Sequence, residues 1–314
     1  MTDTAKGMLA IVAATVIWGL SPMYYKLLAH VPPLEVLSHR TLWSLMIFGA
    51  VMAVQGRLRE LRHLLAARRR FFLVAFAALM ISTNWFMFIL SIQIGRAVEA
   101  SLGYYIFPLV AVLFGVILFG ERLGAAKALA VPLAIAAVVV LTLGLGAAPW
   151  ISLALAVSFG LYGVVKKGLA AGPVASVTAE VLVLAPLAAL WLWGVHTQGW
   201  TGFVGRNLGV FGSDWQTSLL LAFSGLITAL PLILFSRAAR LLPLGTVGVM
   251  QYINPTLQFL VATLVFAEPI TRWHWVAFPL IWLAVALYSV ETLRQDRAAR
   301  RLSRSAGTSP TTET

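Results

Sequence analysis

Apolar runs of about 20 residues recur along the whole chain, and each is long enough to cross the hydrocarbon core of a bilayer. Hydrophobic residues make up 60% of the sequence and charged residues 11%, whereas soluble domains carry about 25% charged residues. We therefore expect an all-α integral membrane protein with ten transmembrane helices. The predicted spans are 8–29, 37–54, 71–92, 97–119, 127–145, 150–167, 175–196, 215–237, 244–267 and 273–292.

The basic residues between these spans are distributed unevenly, and such asymmetry orients membrane proteins because lysine and arginine accumulate in cytoplasmic loops. Cytoplasmic termini place 18 of the 23 basic residues on the cytoplasmic side and three, Arg96, Arg206 and Arg272, on the other. This asymmetry predicts that both termini are cytoplasmic. The 18 are Lys6, Arg57, Arg59, Arg62, Arg68, Arg69, Arg70, Arg122, Lys127, Lys166, Lys167, Arg237, Arg240, Arg294, Arg297, Arg300, Arg301 and Arg304.

The second half of the chain repeats features of the first at a fixed offset. The segment from Tyr105 to Pro108 is echoed by the segment from Tyr252 to Pro255, a shift of 147 residues. Because a five-helix repeat is odd, the second copy would lie inverted in the membrane, as in many secondary transporters. We predict repeats at 1–146 and 147–293, and a basic, disordered tail at 294–314. The same shift carries Phe119 onto Phe266, Glu121 onto Glu268 and Pro132 onto Pro279, and a shift of 141 carries Gly19, Leu20 and Lys26 onto Gly160, Leu161 and Lys167.

Several function classes are disfavoured by the composition. The net charge of +12 suits nucleic-acid binding, but the basic residues lie between apolar spans and not on a separate soluble domain. The chain contains no cysteine, which excludes disulfides and thiolate sites. Its five histidines lack metal-ligand spacing, and no phosphate-binding loop or nucleophile turn is present. We therefore expect neither enzymatic activity nor a cofactor or metal.

Ordered short motifs run through the membrane region from about residue 8 to 292. They are Ile17 to Pro22, Tyr25 with Lys26, Glu35, His39 with Arg40, Trp43 with Ser44, Asn84 with Trp85, Glu99 to Tyr104, and Gln251 to Ile253. The set resembles the RarD branch of the EamA family, within the drug/metabolite transporter superfamily. The resemblance implies ten helices, a central cavity between two halves and a location in the bacterial plasma membrane.

Charged residues inside the predicted helices at the outer end are candidates for a substrate site, because an embedded charge usually faces a cavity or a partner. Lys26 follows a helical turn after Pro22, beside Tyr25; it either binds an anionic group or extends to the interface. His39 could move a proton and Arg40 could hold a carboxylate. Alternatively, both hold the first loop through Glu35.

Two acidic residues have similar paired interpretations. Glu180, inside the seventh predicted span, is either the proton carrier of a coupled transporter or the partner of Lys166 or Lys167. Glu99 is either part of the pathway or a helix-start charge paired with Arg96.

Polar and aromatic residues within other spans complete the candidate site. Asn84 must find partners inside the protein, either as a link between helices or as a cavity lining. Aromatic side chains are common walls of small-molecule sites, and the candidates are Trp18, Trp85, Tyr104, Tyr105 and Tyr252, with Gln251 adjoining. Pro108 and Pro255 interrupt corresponding segments, which is typical of transporter sites.

These features predict a small-molecule carrier that works by alternating access between the two repeats, and the resemblance implies a secondary carrier or exporter of small metabolites or drugs. Its partners are the lipid bilayer and a small-molecule substrate, anionic or zwitterionic in the interpretation that uses Lys26 and Arg40, with protons as a candidate coupling ion. A membrane enzyme and a channel or structural protein are the alternative classes.

Overall fold

The structure, a computed structural model, describes residues 2–120, 124–146, 148–169, 171–201 and 209–306. Its regular elements in this part of the chain are helices. In chain order they are α1 (Asp3–Leu27), α2 (Pro33–Val54), α3 (Leu58–Ala66), α4 (Arg68–Gln93), α5 (Ala97–Phe119), α6 (Ala125–Leu145), α7 (Trp150–Lys167), α8 (Pro173–Gln198), α9 (Trp215–Leu241), α10 (Leu244–Met250), α11 (Ile253–Leu260), a π-helical stretch (Val261–Val265) and α12 (Arg272–Ala306).

The all-helical, multi-pass membrane character agrees with the sequence. Eight of the described helices are long and apolar enough to cross a membrane, namely α1, α2, α4, α5, α6, α8, α9 and α12, while α7 is apolar but shorter. The predicted ninth span is divided among α10, α11 and the π-helical stretch. A count of ten spans therefore stays a prediction.

The divided segment corrects the expectation that Pro108 and Pro255 interrupt their helices alike. Helix α5 continues through Pro108, whereas the break in the second segment lies at Gln251 and Tyr252, before Pro255. Pro255 occupies the first turn of α11, where its missing N–H has no helical partner to lose. The two equivalent prolines therefore sit in different local structures.

Two further differences concern residues outside the predicted spans. Helix α3 lies between the second and third predicted spans, and its nine residues are too few to cross a membrane; the ion pair at its start, from Arg57 Nε to Glu60 Oε1 at 2.7 Å, is local. Helix α12 extends to Ala306 and so includes the first part of the predicted disordered tail. The stretch from Glu291 to Ala306 lacks glycine and proline, which permits this continuation. Residues 307–314 and Glu121 lie outside the described residues.

Packing between distant helices forms the core. Helix α5 packs on α7, α6 on α12, α1 and α2 on α9, and α2 on α8. Glycine allows close approach at two of these contacts: a Cβ at Gly103 would lie 2.8 Å from Ser152 O, and one at Gly225 would lie 2.6 Å from the carbonyl carbon of Trp43. Small residues of this kind are typical of membrane helix interfaces.

Candidate functional site

Arg40 lies inside the helix bundle, on the eighth residue of α2. The side chain retains 6% of its exposure, and at 1.5 Å per residue its Cα is about 10 Å from the start of the helix. Its guanidinium carbon is 4.1 Å from the ring centroid of Trp85 and 5.7 Å from that of Tyr25. We call Tyr25, Arg40 and Trp85 the arginine cage; it joins α1, α2 and α4.

A chain of aromatic rings extends from the cage across the bundle. Tyr25 meets Phe88 edge-on at 5.8 Å, Phe88 meets Tyr104 at 5.8 Å, and Tyr104 meets Phe159 at 6.1 Å. These rings come from α1, α4, α5 and α7. The predicted aromatic residues Tyr25, Trp85 and Tyr104 are thus brought together.

Asn84 holds three of these helices together. Its Nδ2 donates to the carbonyl of Leu155 at 3.0 Å and to Ser158 Oγ at 3.3 Å on α7, and its Oδ1 accepts from the Tyr104 hydroxyl at 2.8 Å. An amide in an apolar helix interior needs such partners because lipid offers none. The link between helices is therefore present, and the same bond fixes the position of the Tyr104 ring.

Polar groups near the cage remain unpaired. The Nε of Arg40 and the hydroxyl of Ser44, one turn along α2, are buried without a hydrogen-bond partner, while the hydroxyl of Tyr25 lies beside Thr228. The ion pairs among the described side chains all lie elsewhere, so Arg40 has no carboxylate partner in this part of the chain. Buried donors without partners are costly and call for a ligand or water.

Neither Glu35 nor His39 pairs with Arg40 among the described contacts, so the alternative in which His39 and Arg40 hold the first loop through Glu35 lacks a direct link to Arg40. The His39 ring stacks on Phe211 at 4.6 Å, and its Nε2 is buried without a partner. Glu35 accepts a long hydrogen bond, 3.4 Å, from the backbone N–H of Val210. Both side chains therefore contact the segment before α9, while Arg40 points towards α1 and α4.

Glu180 lies in a second buried cluster, formed by α7 and α8. One carboxylate oxygen is 2.7 Å from Lys166 Nζ and accepts from Ser176 Oγ at 2.8 Å. The other accepts from the Tyr162 hydroxyl at 3.0 Å, and Lys166 also donates to Ser176. We call Tyr162, Lys166, Ser176 and Glu180 the glutamate cluster. The predicted pair with Lys166 is present, whereas the side chain of Lys167 is not among the described ones.

Two predicted charged residues lie at helix ends, and one of them, Lys26, follows Tyr25 of the arginine cage in the chain. Lys26 is exposed in the last turn of α1, with its Nζ 5.4 Å from the Phe266 ring centroid. Glu99 is 3.1 Å from Arg96 NH1 in the first turn of α5. These positions match the interface and helix-start alternatives. A direct role of either residue in binding stays a prediction.

The other predicted aromatic residues lie at different contacts. Tyr105 stacks on Tyr252 at 6.4 Å with an interplanar angle of 15°, and its hydroxyl is 2.7 Å from Thr256 Oγ1. Gln251 lies in the break between α10 and α11. Trp18 is half-buried on Phe235 at 6.0 Å.

Several partners were missed from the sequence, although one signal was available. Tyr162 with Lys166, and Ser176 with Glu180, are each four residues apart on the two sides of one short loop, a spacing that puts each pair on one helix face. Ser158 and Phe211 carried no comparable signal, because their partners are far away in the chain. Glu268, which the sequence singles out only as the repeat counterpart of Glu121, accepts from the N–H groups of Ala97 and Val98 at 2.7 and 2.8 Å. Within the described residues there is no group of three acidic or histidine side chains placed to hold a metal.

Comparisons with known proteins agree with this architecture. The model of the EamA-like transporter family matches residues 5–143. Protein RarD of Streptomyces exfoliatus is 41% identical, over 90% of this chain and 88% of its own. An uncharacterized transporter of Vibrio cholerae is 38% identical over 95% and 97%, and protein RarD of Escherichia coli 36% over 94% and 97%.

One solved crystal structure covers 92% of this chain and 98% of its own, with a TM-score of 0.60 at 21% identity. That likeness concerns the fold alone. The identities to the RarD proteins extend over nearly the whole chain, and the relatives named for a function are named as transporters. This multi-pass membrane protein therefore belongs to the EamA-like transporter family, in its RarD branch.

Proposed function

We propose that the protein is a secondary carrier that moves small molecules across the bacterial inner membrane by alternating access, with the solute bound beside the arginine cage. The observation that carries this proposal is the meeting of a buried guanidinium, an unpaired hydroxyl and aromatic rings from several helices at one place. Small-molecule sites combine apolar walls with a few placed polar groups in this way.

The packing of the helices supports two inverted repeats. If α1 corresponds to α7, α2 to α8, α4 to α9, α5 to α10 and α11, and α6 to α12, then the contact of α5 with α7 corresponds to that of α1 with α11. Likewise α4 with α7 corresponds to α1 with α9, and α2 with α9 to α4 with α8. Each of these contacts has its counterpart in the other half.

The stacked pair of Tyr105 and Tyr252 supports the same symmetry. These tyrosines are related by the shift of 147 residues, and equivalent residues touch each other only where a two-fold axis passes between them. Two halves related by such an axis can rock about a central site.

The charge distribution supports cytoplasmic termini. Single cysteines replacing Arg69 and Arg272 would test the orientation, since the chain has no cysteine of its own. In intact cells an impermeant thiol reagent should label the cysteine at position 272 and spare that at position 69, and both should react after permeabilisation. The opposite labelling would overturn the orientation.

Counterflow in proteoliposomes tests the carrier mechanism. Metabolite profiling of a deletion strain and an overexpressing strain first identifies the solute whose level changes in opposite directions. Vesicles loaded with that solute should then take up its labelled form faster than empty vesicles, because the binding site of a carrier returns across the membrane faster with internal solute bound. Equal rates in loaded and empty vesicles would indicate a channel and would contradict the proposal.

A further inference from the structure

We propose that Arg40 binds a carboxylate of the transported solute, whose apolar body lies against the rings of the arginine cage. This inference rests on the proposed transport function and adds the chemical class of the substrate. It also assigns the recognition of charge to Arg40 and not to Lys26, which is exposed at the end of α1.

The charge of Arg40 is buried in the helix bundle. A guanidinium remains protonated in proteins, and a charge within an apolar helix is costly unless it faces a cavity or a partner. Arg40 is 6% exposed and has no carboxylate partner among the described residues. The site is therefore complementary to one negative charge that the described part of the protein does not supply.

The guanidinium of Arg40 lies against aromatic rings. Trp85, at 4.1 Å, covers one region of the charge with a ring face. A ring contact of this kind orients a guanidinium and leaves its N–H groups available for hydrogen bonds in the guanidinium plane. Carboxylates accept two parallel bonds from such a fork.

Two hydroxyl groups add further hydrogen-bond donors to the site. The hydroxyl of Ser44, one turn from Arg40 on α2, is buried and unpaired, and the hydroxyl of Tyr25, part of the cage, lies beside Thr228. Both can donate to a carboxylate oxygen. Among the described side chains no carboxylate pairs with Arg40, so its charge is available to an anionic solute.

The matched control for the test is Arg237, an exposed arginine of α9 outside the cage. Arg237→Gln and Arg40→Gln remove the same charge with the same substitution. Arg40→Lys keeps the charge but replaces the planar fork with a single ammonium.

The test compares probes that differ only in charge. Purified full-length protein in detergent is titrated with 3-phenylpropionate, indole-3-acetate, benzoate and hexanoate, and with the primary amide of each acid, and apparent dissociation constants are taken from the thermal stabilisation. We expect at least one carboxylate to bind the wild type about tenfold or more tightly than its amide. That preference should persist in Arg237→Gln, weaken in Arg40→Lys and vanish in Arg40→Gln.

Two outcomes would overturn the proposal. One is that no carboxylate exceeds its amide in the wild type, a result that needs no variant to fold. The other is that the preference survives in Arg40→Gln. Counterflow distinguishes these results from failure of the carrier proposal: intact counterflow with no preference for carboxylates rejects only the Arg40 assignment, while carboxylate binding without counterflow rejects only the carrier mechanism.

Discussion

The central charges of the arginine cage and the glutamate cluster occupy matching positions in two helices, but only the charge of the glutamate cluster is paired within the described part of the chain. Helices α2 and α8 both begin with proline, at Pro33 and Pro173, and Arg40 and Glu180 are the eighth residues. The two helices pack on each other. Glu180 has an ammonium and two hydroxyls as partners, whereas Arg40 has aromatic rings and no counter-charge among the described residues.

This difference separates a charge that holds helices together from a charge that can hold a solute. A buried pair satisfies its own electrostatics, so it has little remaining affinity for a ligand. An unpaired charge retains that affinity. The comparison therefore predicts that loss of Glu180 mainly harms folding, and that loss of Arg40 mainly harms binding.

The largest loss of stability is expected for Glu180→Ala. The change leaves Lys166 largely enclosed without its counter-charge and removes the acceptor of Tyr162 and Ser176, and breaking a buried pair costs about 3 kcal/mol. The loss should appear as a lower Tm of the detergent-solubilised protein.

The double variant Lys166→Met with Glu180→Met is the control for this effect. Replacing both charges by apolar side chains of similar length removes the unpaired ion, and such replacements are often neutral or stabilising. A double variant as unstable as Glu180→Ala would mean that the pair is not the source of the stability.

Gly225→Ala should have the next largest effect. The added Cβ would lie 2.6 Å from the carbonyl carbon of Trp43 and force α9 from α2, and overpacking of this kind costs about 1–3 kcal/mol. Because α2 carries Arg40, carboxylate binding should weaken together with the Tm.

Gly163→Ala on α7 is the matched substitution beside the glutamate cluster. A Cβ at Gly163 meets nothing within 4 Å, and alanine is the better helix former by roughly 0.5–1 kcal/mol. Its Tm should be unchanged or higher. Equal losses in the two alanine variants would show that close helix contact at Gly225 does not matter.

A smaller effect is expected from the hydrogen bond between Asn84 and Tyr104. In a double-mutant cycle with Asn84→Ala and Tyr104→Phe, the coupling should be about 0.6–1.7 kcal/mol, the usual range for membrane hydrogen bonds. Unfolding free energies of the four proteins give this value. Zero coupling would remove Asn84 as the group that positions the Tyr104 ring.

The sequence predicts the helical architecture well because spans depend on local hydrophobicity and length. Nine of its spans correspond to single described helices, and the exception, 244–267, is divided at Gln251 and Tyr252. The break was partly predictable, because Pro255 lacks the N–H that would donate to the carbonyl of Gln251 four residues earlier. Helix α5 nevertheless continues through Pro108, so a proline alone does not decide whether such a helix breaks.

The candidate site was predictable in its residue types but not in its pairings. The predicted spans place Arg40 near the start of the second span and Glu180 inside the seventh, so both were predicted to be embedded charges. Which of them finds a partner depends on contacts between helices that are distant in sequence, as between Asn84 and Leu155. The glutamate cluster was the easier case, since all its members flank one short loop.

The smallest change in stability is expected for Arg40→Met, although Arg40 is as deeply placed as Glu180. Burial of an arginine within a membrane helix costs roughly 3 kcal/mol on insertion scales, and its ring contacts return up to about 2 kcal/mol. Methionine removes both the burial cost of the charge and the stabilisation from the ring contacts, and it still fills much of the space. The Tm should therefore stay close to that of the wild type or rise, while carboxylate binding is lost. A fall in Tm as large as that of Glu180→Ala would mean that Arg40 has a structural partner after all, and the contrast between the two charges would disappear.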